Sequence, residues 1–69
     1  RLGLGRRCIG QLPEDDTAAS IARALIALAR SLGLAVTAEG VETEEQADAL
    51  RRYGCDRGQG WLFGRPQPI

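Results

Sequence analysis

The chain has 69 residues, enough for one small unit that buries only about 60% of its unfolded surface. Nine arginines balance nine acidic residues, so charge gives no reason to expect a nucleic acid polymer or an anionic membrane as a partner. His is absent and the only cysteines are Cys8 and Cys55, which excludes a zinc site of the usual kind. No apolar run reaches the ~18 residues of a membrane span, and no signal peptide is recognisable.

The two cysteines leave two interpretations open. Cys8 and Cys55 could pair as a disulfide, or they could stay reduced and pack as small apolar side chains. We favour the second interpretation and expect a cytoplasmic protein. The chain opens on Arg1 instead of Met, so we also expect it to begin inside a longer protein.

The first half of the chain predicts a strand followed by a helix. Residues 1–12 are poorly patterned and predict a weak strand or extended segment. Residues 17–32 predict a helix that Asp16 caps and Gly33 ends. Its apolar positions recur at steps of three and four, which indicates one core-facing stripe made of Ile21, Leu25, Leu28, Ala29 and Leu32, widened by Ala18, Ala22 and Ile26.

The second half predicts a strand, a helix and a further strand. Residues 34–38 predict a short buried strand. A second helix begins at Thr43, where Gln46 completes a capping-box pattern, and it ends at Gly54. Residues 58–63 predict a third extended stretch. This order favours a parallel sheet with right-handed crossovers, so we predict an α/β fold that is a slice of a doubly wound sheet or of a barrel.

The segment 38–43, Ala-Glu-Gly-Val-Glu-Thr, lies where the second predicted strand ends. Ligand and catalytic groups of parallel α/β folds lie at the carboxyl ends of strands, and Gly40 lets the chain turn there without crowding a site. Glu39 is therefore a candidate for binding a divalent cation or for taking a proton from water. The alternative is a solvated acid that happens to follow a strand.

For other polar residues of the chain, the sequence gives weaker indications of a role in a functional site. Glu42 could tie the loop to backbone N–H groups or to a neighbouring side chain, whereas Glu44 and Glu45 are interpreted as partners of the helix dipole. Gln59 lies between two glycines, where its amide has room to donate to and accept from a polar ligand. The alternative for that segment is a bend where backbones pack closely. Trp61 is interpreted as a core residue.

Taken together, several segments resemble the end of the bacterial EAL family. They are 32–34 (Leu-Gly-Leu), 38–43, 54–56 (Gly-Cys-Asp), 59–63 (Gln-Gly-Trp-Leu-Phe) and Pro66. Glu-Gly-Val-Glu alone is a weak signal, but in this order and at these spacings the set is highly specific. The resemblance covers the chain from about Ile9 onward.

The resemblance implies that residues 1–69 are the C-terminal part of an EAL domain, a truncated TIM-like (β/α) barrel that holds the last two to three β/α units with parallel strands. It implies that the complete domain hydrolyses cyclic di-GMP to linear pGpG with two Mg²⁺ or Mn²⁺ ions. By the same resemblance, Glu39 is the active-site glutamate, a metal ligand or general base, and Gln59 helps to hold the active-site water. Glu42 is a second glutamate that supports a neighbouring loop or binds the substrate.

Two departures from the family's pattern bear on activity. Its Leu-Lys-Ile-Asp run before an Arg aligns with residues 2–6, which sets Gly3 at the position of a Lys needed for catalysis and Gly5 at the position of the Asp. Either the barrel is degenerate, or residues 1–7 are misaligned or are not native family sequence. The Glu-Ala-Leu signature, the Asn and Glu metal ligands and the paired aspartates of the family are not in this chain.

These features lead to three hypotheses. In the first, the complete domain is a cyclic di-GMP phosphodiesterase, and this chain is an inactive piece that holds no metal or cofactor by itself. In the second, the domain is catalytically degenerate and acts as a receptor for cyclic di-GMP or as a protein-interaction module. In the third, the chain is a structural unit that self-associates through unpaired strand edges. Intact Glu39 and Gln59 favour the first hypothesis, and Gly3 favours the second.

Overall fold

Strands and helices alternate along the chain as the apolar pattern predicts, with one additional element near each end. The computed structural model describes residues 2–60, 62 and 64–69. Its elements are β1 (Leu2–Leu4), α1 (Arg6–Gly10), α2 (Asp16–Ser31), β2 (Val36–Ala38), α3 (Glu44–Tyr53), β3 (Arg57–Gly60) and β4 (Gly64–Pro68). Trp61 lies outside the described residues, so its place in the core stays a prediction. No helix within the described ranges is both long and apolar enough to cross a bilayer.

The strands form one sheet in the order β1-β2-β3-β4. β1 pairs in parallel with β2, which sets Gly3 opposite Thr37, and β2 pairs in parallel with β3, which sets Thr37 opposite Arg57. The predicted parallel α/β arrangement is therefore confirmed. Its end differs from the prediction, because the single stretch expected over 58–63 is a strand that ends at Gly60, followed by the antiparallel strand β4.

The beginning of the chain also differs from the prediction of one extended segment over 1–12. Only Leu2–Leu4 is a strand, and Arg6–Gly10 forms the short helix α1. Ile9 of α1 is fully buried in the core. The core lies between the helices and the face of the sheet that carries Leu4, Val36 and Ala38. Because side chains alternate along a strand, Thr37 points to the opposite face of the sheet.

Helix α2 buries only part of the face that the sequence indicates. Four residues that were predicted to face the core are buried, namely Ala18, Ala22, Ile26 and Ala29. Ile21, Leu28 and Leu32 of the predicted stripe are instead 50%, 57% and 65% exposed. The prediction is therefore confirmed for the first four residues and wrong for these three large aliphatic side chains. Small side chains let the helix lie close against the sheet, and close packing favours that face.

Local signals set both ends of α2. Asp15, and not the predicted Asp16, is the N-cap, because its carboxylate accepts a hydrogen bond from the Ala18 N–H at 3.0 Å. Asp16 is the first helical residue, where its charge complements the helix dipole. The helix ends at Ser31, and Gly33 follows with a φ of 72°, the left-handed conformation that was predicted for it.

Helix α3 begins and ends where the sequence predicts. The Gln46 N–H donates to Thr43 Oγ1 at 3.1 Å and the Thr43 N–H donates to Gln46 Oε1 at 3.3 Å, which completes the capping box. Gly54 ends the helix with a φ of 92°.

Two arginines of α2 contact helix α3. Arg30 donates to the Gly54 carbonyl at 3.2 Å, and the Arg23 guanidinium lies 5.7 Å from the centre of the Tyr53 ring.

Asp56 ties the start of β2 to the start of β3. Its carboxylate accepts a hydrogen bond from the Val36 N–H at 2.7 Å, and its own N–H donates to the Val36 carbonyl at 3.2 Å. The Asp56 carbonyl also accepts from the Ile69 N–H at 3.2 Å. These bonds hold the two parallel strands in one register at the N-terminal edge of the sheet.

Both cysteines are free thiols, as favoured from the sequence. Cys8 is half-buried, whereas Cys55 is 7% exposed and packs in the core. The Cys55 thiol lies against backbone carbonyls and donates to that of Arg57 at 3.2 Å. Burial raises the pKa of the Cys55 thiol, and hydrogen bonds with the backbone offset this rise only in part.

Candidate active site at the strand ends

Glu39 lies at the carboxyl end of β2, beside β1. Its N–H donates to the Leu4 carbonyl at 2.9 Å, so the pairing of β1 with β2 continues up to this residue. Its carboxylate reaches towards β1, because a Cβ added to Gly3 would lie 3.2 Å from Glu39 Oε2. Glu39 is exposed. The structure therefore places this predicted site residue at the rim of the sheet, next to a position without a side chain.

Gln59 lies near the carboxyl end of β3, the strand next to β2. The parallel register pairs Thr37 with Arg57 and Ala38 with Gly58, and Glu39 and Gln59 directly follow these last paired residues. The pairing of β3 with β4 is irregular between Gly58 and Gly60. Gln59 is half-buried. The sheet thus places the predicted acid and the predicted amide at the ends of neighbouring strands, while their chemical roles stay predictions.

The loop that follows Glu39 is held by close backbone contacts on both sides. Gly40 has a φ of 79°, and a Cβ there would lie 2.8 Å from Cγ of Arg6 in α1. On the other side the Val41 N–H donates to the Gln59 carbonyl at 3.0 Å. A Cβ on Gly60 would lie 2.6 Å from the Val41 nitrogen, which no real side chain permits. Glycine at positions 40 and 60 is therefore what allows this loop to lie between α1 and β3.

The side chain of Gln46 holds the loop after Glu39 through hydrogen bonds to its backbone. The Gln46 side chain is 6% exposed, and its Oε1 accepts a hydrogen bond from the Glu42 N–H at 2.8 Å in addition to that from Thr43. Glu42 itself is exposed. The sequence identified Gln46 only as a helix cap. Its position three residues after Thr43 is the signal that could also have indicated a tie to the preceding loop.

One layer deeper on the same face lies a row made of Gly3, Thr37 and Arg57. Thr37 is 3% exposed, and its hydroxyl has no hydrogen-bond partner among the residues that the structure describes. Arg57 is exposed. Thr37 and Arg57 were not predicted as site residues, although the parallel register places both on the same face of the sheet as Gly3.

The described residues do not by themselves form a metal site. Among them there is no group of three or more His, Cys, Asp or Glu side chains that could hold a metal ion. Glu39 offers one carboxylate, whereas Mg²⁺ takes octahedral oxygen ligands. Glu39 can therefore supply part of such a ligand set. A surface depression of about 460 Å³ lies elsewhere, between α2 and α3, and is lined by Asp16, Arg23 and Tyr53.

Comparison with known sequences gives the family. The family model described as EAL domain matches residues 1–66. The chain is 48% identical over 67 residues to the bifunctional diguanylate cyclase/cyclic di-GMP phosphodiesterase MucR of Pseudomonas aeruginosa, covering 97% of this chain and 10% of MucR. It is 44% identical over 68 residues to the cyclic di-GMP phosphodiesterase NbdA of the same species, covering 99% of this chain and 9% of NbdA. The chain thus spans about a tenth of these relatives.

Comparison with solved structures gives the same result. The MucR phosphodiesterase in complex with c-di-GMP has a TM-score of 0.87 and 46% identity, covering 100% of this chain and 28% of that one. A manganese and cyclic di-GMP complex of Klebsiella pneumoniae BlrP1 has a TM-score of 0.86 and 31% identity, covering 93% of this chain and 16% of that one. The predicted partial TIM-type barrel is therefore confirmed, and the chain belongs to the EAL domain family.

Proposed function

We propose that this chain supplies Glu39 and Gln59 to the active site of a cyclic di-GMP phosphodiesterase in bacterial signalling, and that its 69 residues alone do not hydrolyse the dinucleotide. The observation that carries the proposal is the β2–β3 register, in which the acid and the amide directly follow the last paired residues, at the carboxyl ends of neighbouring parallel strands. The phosphodiesterase names of MucR and NbdA support the same reaction.

Each residue has a role that its chemistry permits. The Glu39 carboxylate can take a proton from the attacking water or supply one ligand to a divalent cation, Mg²⁺ or Mn²⁺. The Gln59 amide can donate to and accept from the same water or a phosphate oxygen. Glu42 remains a candidate for contacting substrate, because it is exposed on the loop next to Glu39. The backbone contacts around Val41 hold this loop in place before substrate arrives, which reduces the entropy cost of the reaction.

The expected inactivity of the isolated chain follows from its single rim carboxylate. A metal-assisted hydrolysis needs a cation that is held by several protein ligands, and the described residues provide no such cluster. The chain covers 28% of the solved MucR phosphodiesterase, so most of the barrel wall is also outside it. We therefore expect no pGpG when the pure chain is incubated with cyclic di-GMP and Mn²⁺.

A chimera tests the proposal directly. The segment of the MucR phosphodiesterase that matches this chain is replaced by residues 1–69, and cyclic di-GMP hydrolysis is measured by chromatography. We expect the chimera to form pGpG, and we expect Glu39→Gln to lower turnover at least about 100-fold, because removing one positioned catalytic group has an effect of this size. Glu45→Gln is the matched control, since Glu45 is an exposed acid of the first turn of α3. Undiminished turnover in the Glu39→Gln chimera would contradict the proposal.

A second candidate function rests on Gly3. This residue has no side chain, a Cβ added to it would lie 3.2 Å from Glu39 Oε2, and the family resemblance places a lysine at this position. A barrel without that ammonium can still hold the dinucleotide and act as a receptor or as a protein-interaction module. The chimera separates the two functions, because a receptor binds cyclic di-GMP in calorimetric titration but forms no pGpG.

The free thiols indicate where the domain works. Cys8 is half-buried and Cys55 is buried, and neither forms a disulfide. Thiols of this kind persist in a reducing compartment. We propose that the complete domain acts in the cytoplasm.

A further inference from the structure

The depression of about 460 Å³ between helices α2 and α3 is a second candidate for ligand binding. We name it the α2–α3 depression. No residue of the strand ends lines it, so it is separate from the site that carries Glu39. Its volume lies in the range of small-molecule sites. Most of the side chains that line it are charged or polar, and its lining includes Asp16, Ala19, Ser20, Arg23, Arg52 and Tyr53.

One face of α2 forms a wall of the α2–α3 depression. Asp16, Ala19, Ser20 and Arg23 follow each other at steps of three, one and three residues, which brings them to the same side of a helix. Ala19 is buried, whereas Asp16 and Arg23 are exposed. Asp16 and Arg23 are separated by seven positions, so their Cα atoms lie about 10 Å apart at 1.5 Å per residue. The wall therefore presents opposite charges at its two ends.

The positive end of the depression has two guanidinium groups that can bind an anion. The Arg52 side chain makes no hydrogen bond or ion pair with any residue that the structure describes. The Arg23 guanidinium donates to Ser20 Oγ at 3.4 Å, a long distance, and lies 5.7 Å from the centre of the Tyr53 ring. No described carboxylate neutralises either arginine. Two such groups suit a phosphate monoester, which carries close to two negative charges and accepts paired hydrogen bonds from arginine.

The negative end of the depression adds a second requirement. Asp15 is the cap of α2, and the Asp16 carboxylate makes no hydrogen bond within the described part of the chain. An ionised carboxylate accepts hydrogen bonds through two oxygens and donates none. Among the common nucleobases, guanine alone presents two adjacent N–H donor groups on its Watson–Crick edge, and these match the two oxygens. Asp16 therefore favours guanine at the end of the depression opposite the phosphate.

We propose that the α2–α3 depression binds a guanosine monophosphate group, with the phosphate on Arg23 and Arg52 and the base edge on Asp16. The Tyr53 ring offers a flat surface between the two helices on which the nucleoside can pack. Linear pGpG carries a phosphate monoester at its 5′ end, whereas both phosphates of cyclic di-GMP are diesters. The site therefore favours the linear product over the cyclic substrate.

The role in sensing product rests on the proposed function, but the binding of GMP does not. GMP binding is measured on the isolated chain, because every residue invoked belongs to α2 or α3. The chimera assay for hydrolysis and the binding test can therefore fail independently of each other.

Titration of GMP into the isotope-labelled chain, followed by NMR, tests the site. We expect amide shifts that saturate and that cluster at Ser20, Arg52 and Tyr53. GMP should bind at least about tenfold more tightly than AMP or guanosine, because AMP lacks the paired donors and guanosine lacks the phosphate. Shifts that cluster at Glu39 and Gln59 instead, or no saturation below about 10 mM, would overturn the proposal.

Two neighbouring arginines provide a matched pair of variants for the phosphate contact. Arg52→Gln removes one guanidinium of the site, and we expect it to weaken GMP binding at least about tenfold. Arg51→Gln removes the same charge from the next residue, whose guanidinium is paired with Asp48 at 2.6 Å, and we expect GMP binding within about threefold of the original. Equal effects of the two variants would contradict the assigned contact. Circular dichroism checks that each variant remains folded.

Asp16→Asn tests the contact with the base. An asparagine amide pairs with adenine, which presents one donor beside one acceptor, better than with guanine. We therefore expect this variant to lower the preference for GMP over AMP at least about tenfold. Glu14→Gln is the control, because Glu14 is an exposed acid outside the lining of the depression. A preference for GMP that survives in Asp16→Asn would overturn the assignment of guanine.

Discussion

The Val41 N–H donates to the Gln59 carbonyl at 3.0 Å, and this bond joins the loop after β2 to the last parallel strand. The Val41 carbonyl in turn accepts from the Leu62 N–H at 3.0 Å. Val41 itself is fully buried. The loop that follows Glu39 and leads into α3 is therefore packed against β3, and its geometry depends on how closely Gly60 can approach it.

Gly60→Ala should destabilise the chain and release this loop. The added Cβ would lie 2.6 Å from the Val41 nitrogen, and the φ of 134° is strained for any residue with a side chain. We expect a loss of at least about 1–3 kcal/mol in the free energy of unfolding, together with faster hydrogen exchange at the Val41 amide. Gly64→Ala is the control, because its φ is 68° but a Cβ there meets open space. Equal losses for the two variants would show that the backbone contact with Val41 is unimportant.

Gln46→Ala should cost more stability than a simple helix-cap deletion. The substitution leaves the Glu42 and Thr43 N–H groups without their acceptor and empties a buried position. We expect about 1–3 kcal/mol less stability in urea unfolding, compared with a few tenths for Glu45→Ala, whose carboxylate acts only on the helix dipole. In the chimera, Gln46→Ala should also lower turnover, because the loop next to Glu39 loses its tie. Unchanged turnover would limit Gln46 to capping the helix.

Gly3→Lys should raise cyclic di-GMP hydrolysis by the chimera at least about tenfold, since one added donor aimed at developing charge has an effect of this order or larger. The new side chain starts 3.2 Å from the Glu39 carboxylate oxygen, which is the mobile end of its side chain and can shift slightly. Gly3→Gln is the control, because it has similar length and no charge. If Gln raises turnover as much as Lys does, filling the space beside Glu39 matters and the ammonium does not.

Cys55 should make the chain less stable at alkaline pH. Its pKa is raised in the folded state from the ordinary 9.0, so the folded protein keeps the thiol proton where the unfolded chain releases it. The contribution is fully present below the unfolded pKa and is lost as pH rises from about 9 through the folded pKa. The free energy of unfolding, measured in urea between pH 7 and 11, should therefore decline with pH, and the decline should be shallower in Cys55→Ala.

The burial of Cys55 also predicts the order in which the two thiols react. Iodoacetamide should label Cys8 well before Cys55, and labelling in the reverse order would contradict this prediction.

Sequence signals predicted the elements whose formation is local. Thr43 and Gln46 fix the start of α3 through their own hydrogen bonds, and Gly54 ends it through its own φ. Glu39 was found for a related reason, since a carboxylate placed directly after a buried strand lies at the rim of any parallel sheet. Features of this kind depend on a few neighbouring residues, or on the rule that the carboxyl ends of parallel strands lie at one edge of the sheet.

The features that were missed depend on tertiary contacts. The apolar stripe of α2 is wide, so periodicity could not tell that the sheet takes the alanines and leaves Leu28 exposed. β4 contains Pro66 and Pro68 and forms a strand only because it pairs with β3. The contact of Gly40 with Arg6 joins elements that are far apart in the sequence, and no local pattern indicates it.

The hydrogen bonds between Asp56 and Val36 have an effect at the far end of the sheet. They lie at the strand starts, whereas Glu39 and Gln59 lie at the strand ends. Slippage of β3 by one residue would change which residue of β3 follows the last pair beside Glu39. The bonds at the strand starts therefore help to determine which side chains meet at the opposite edge of the sheet.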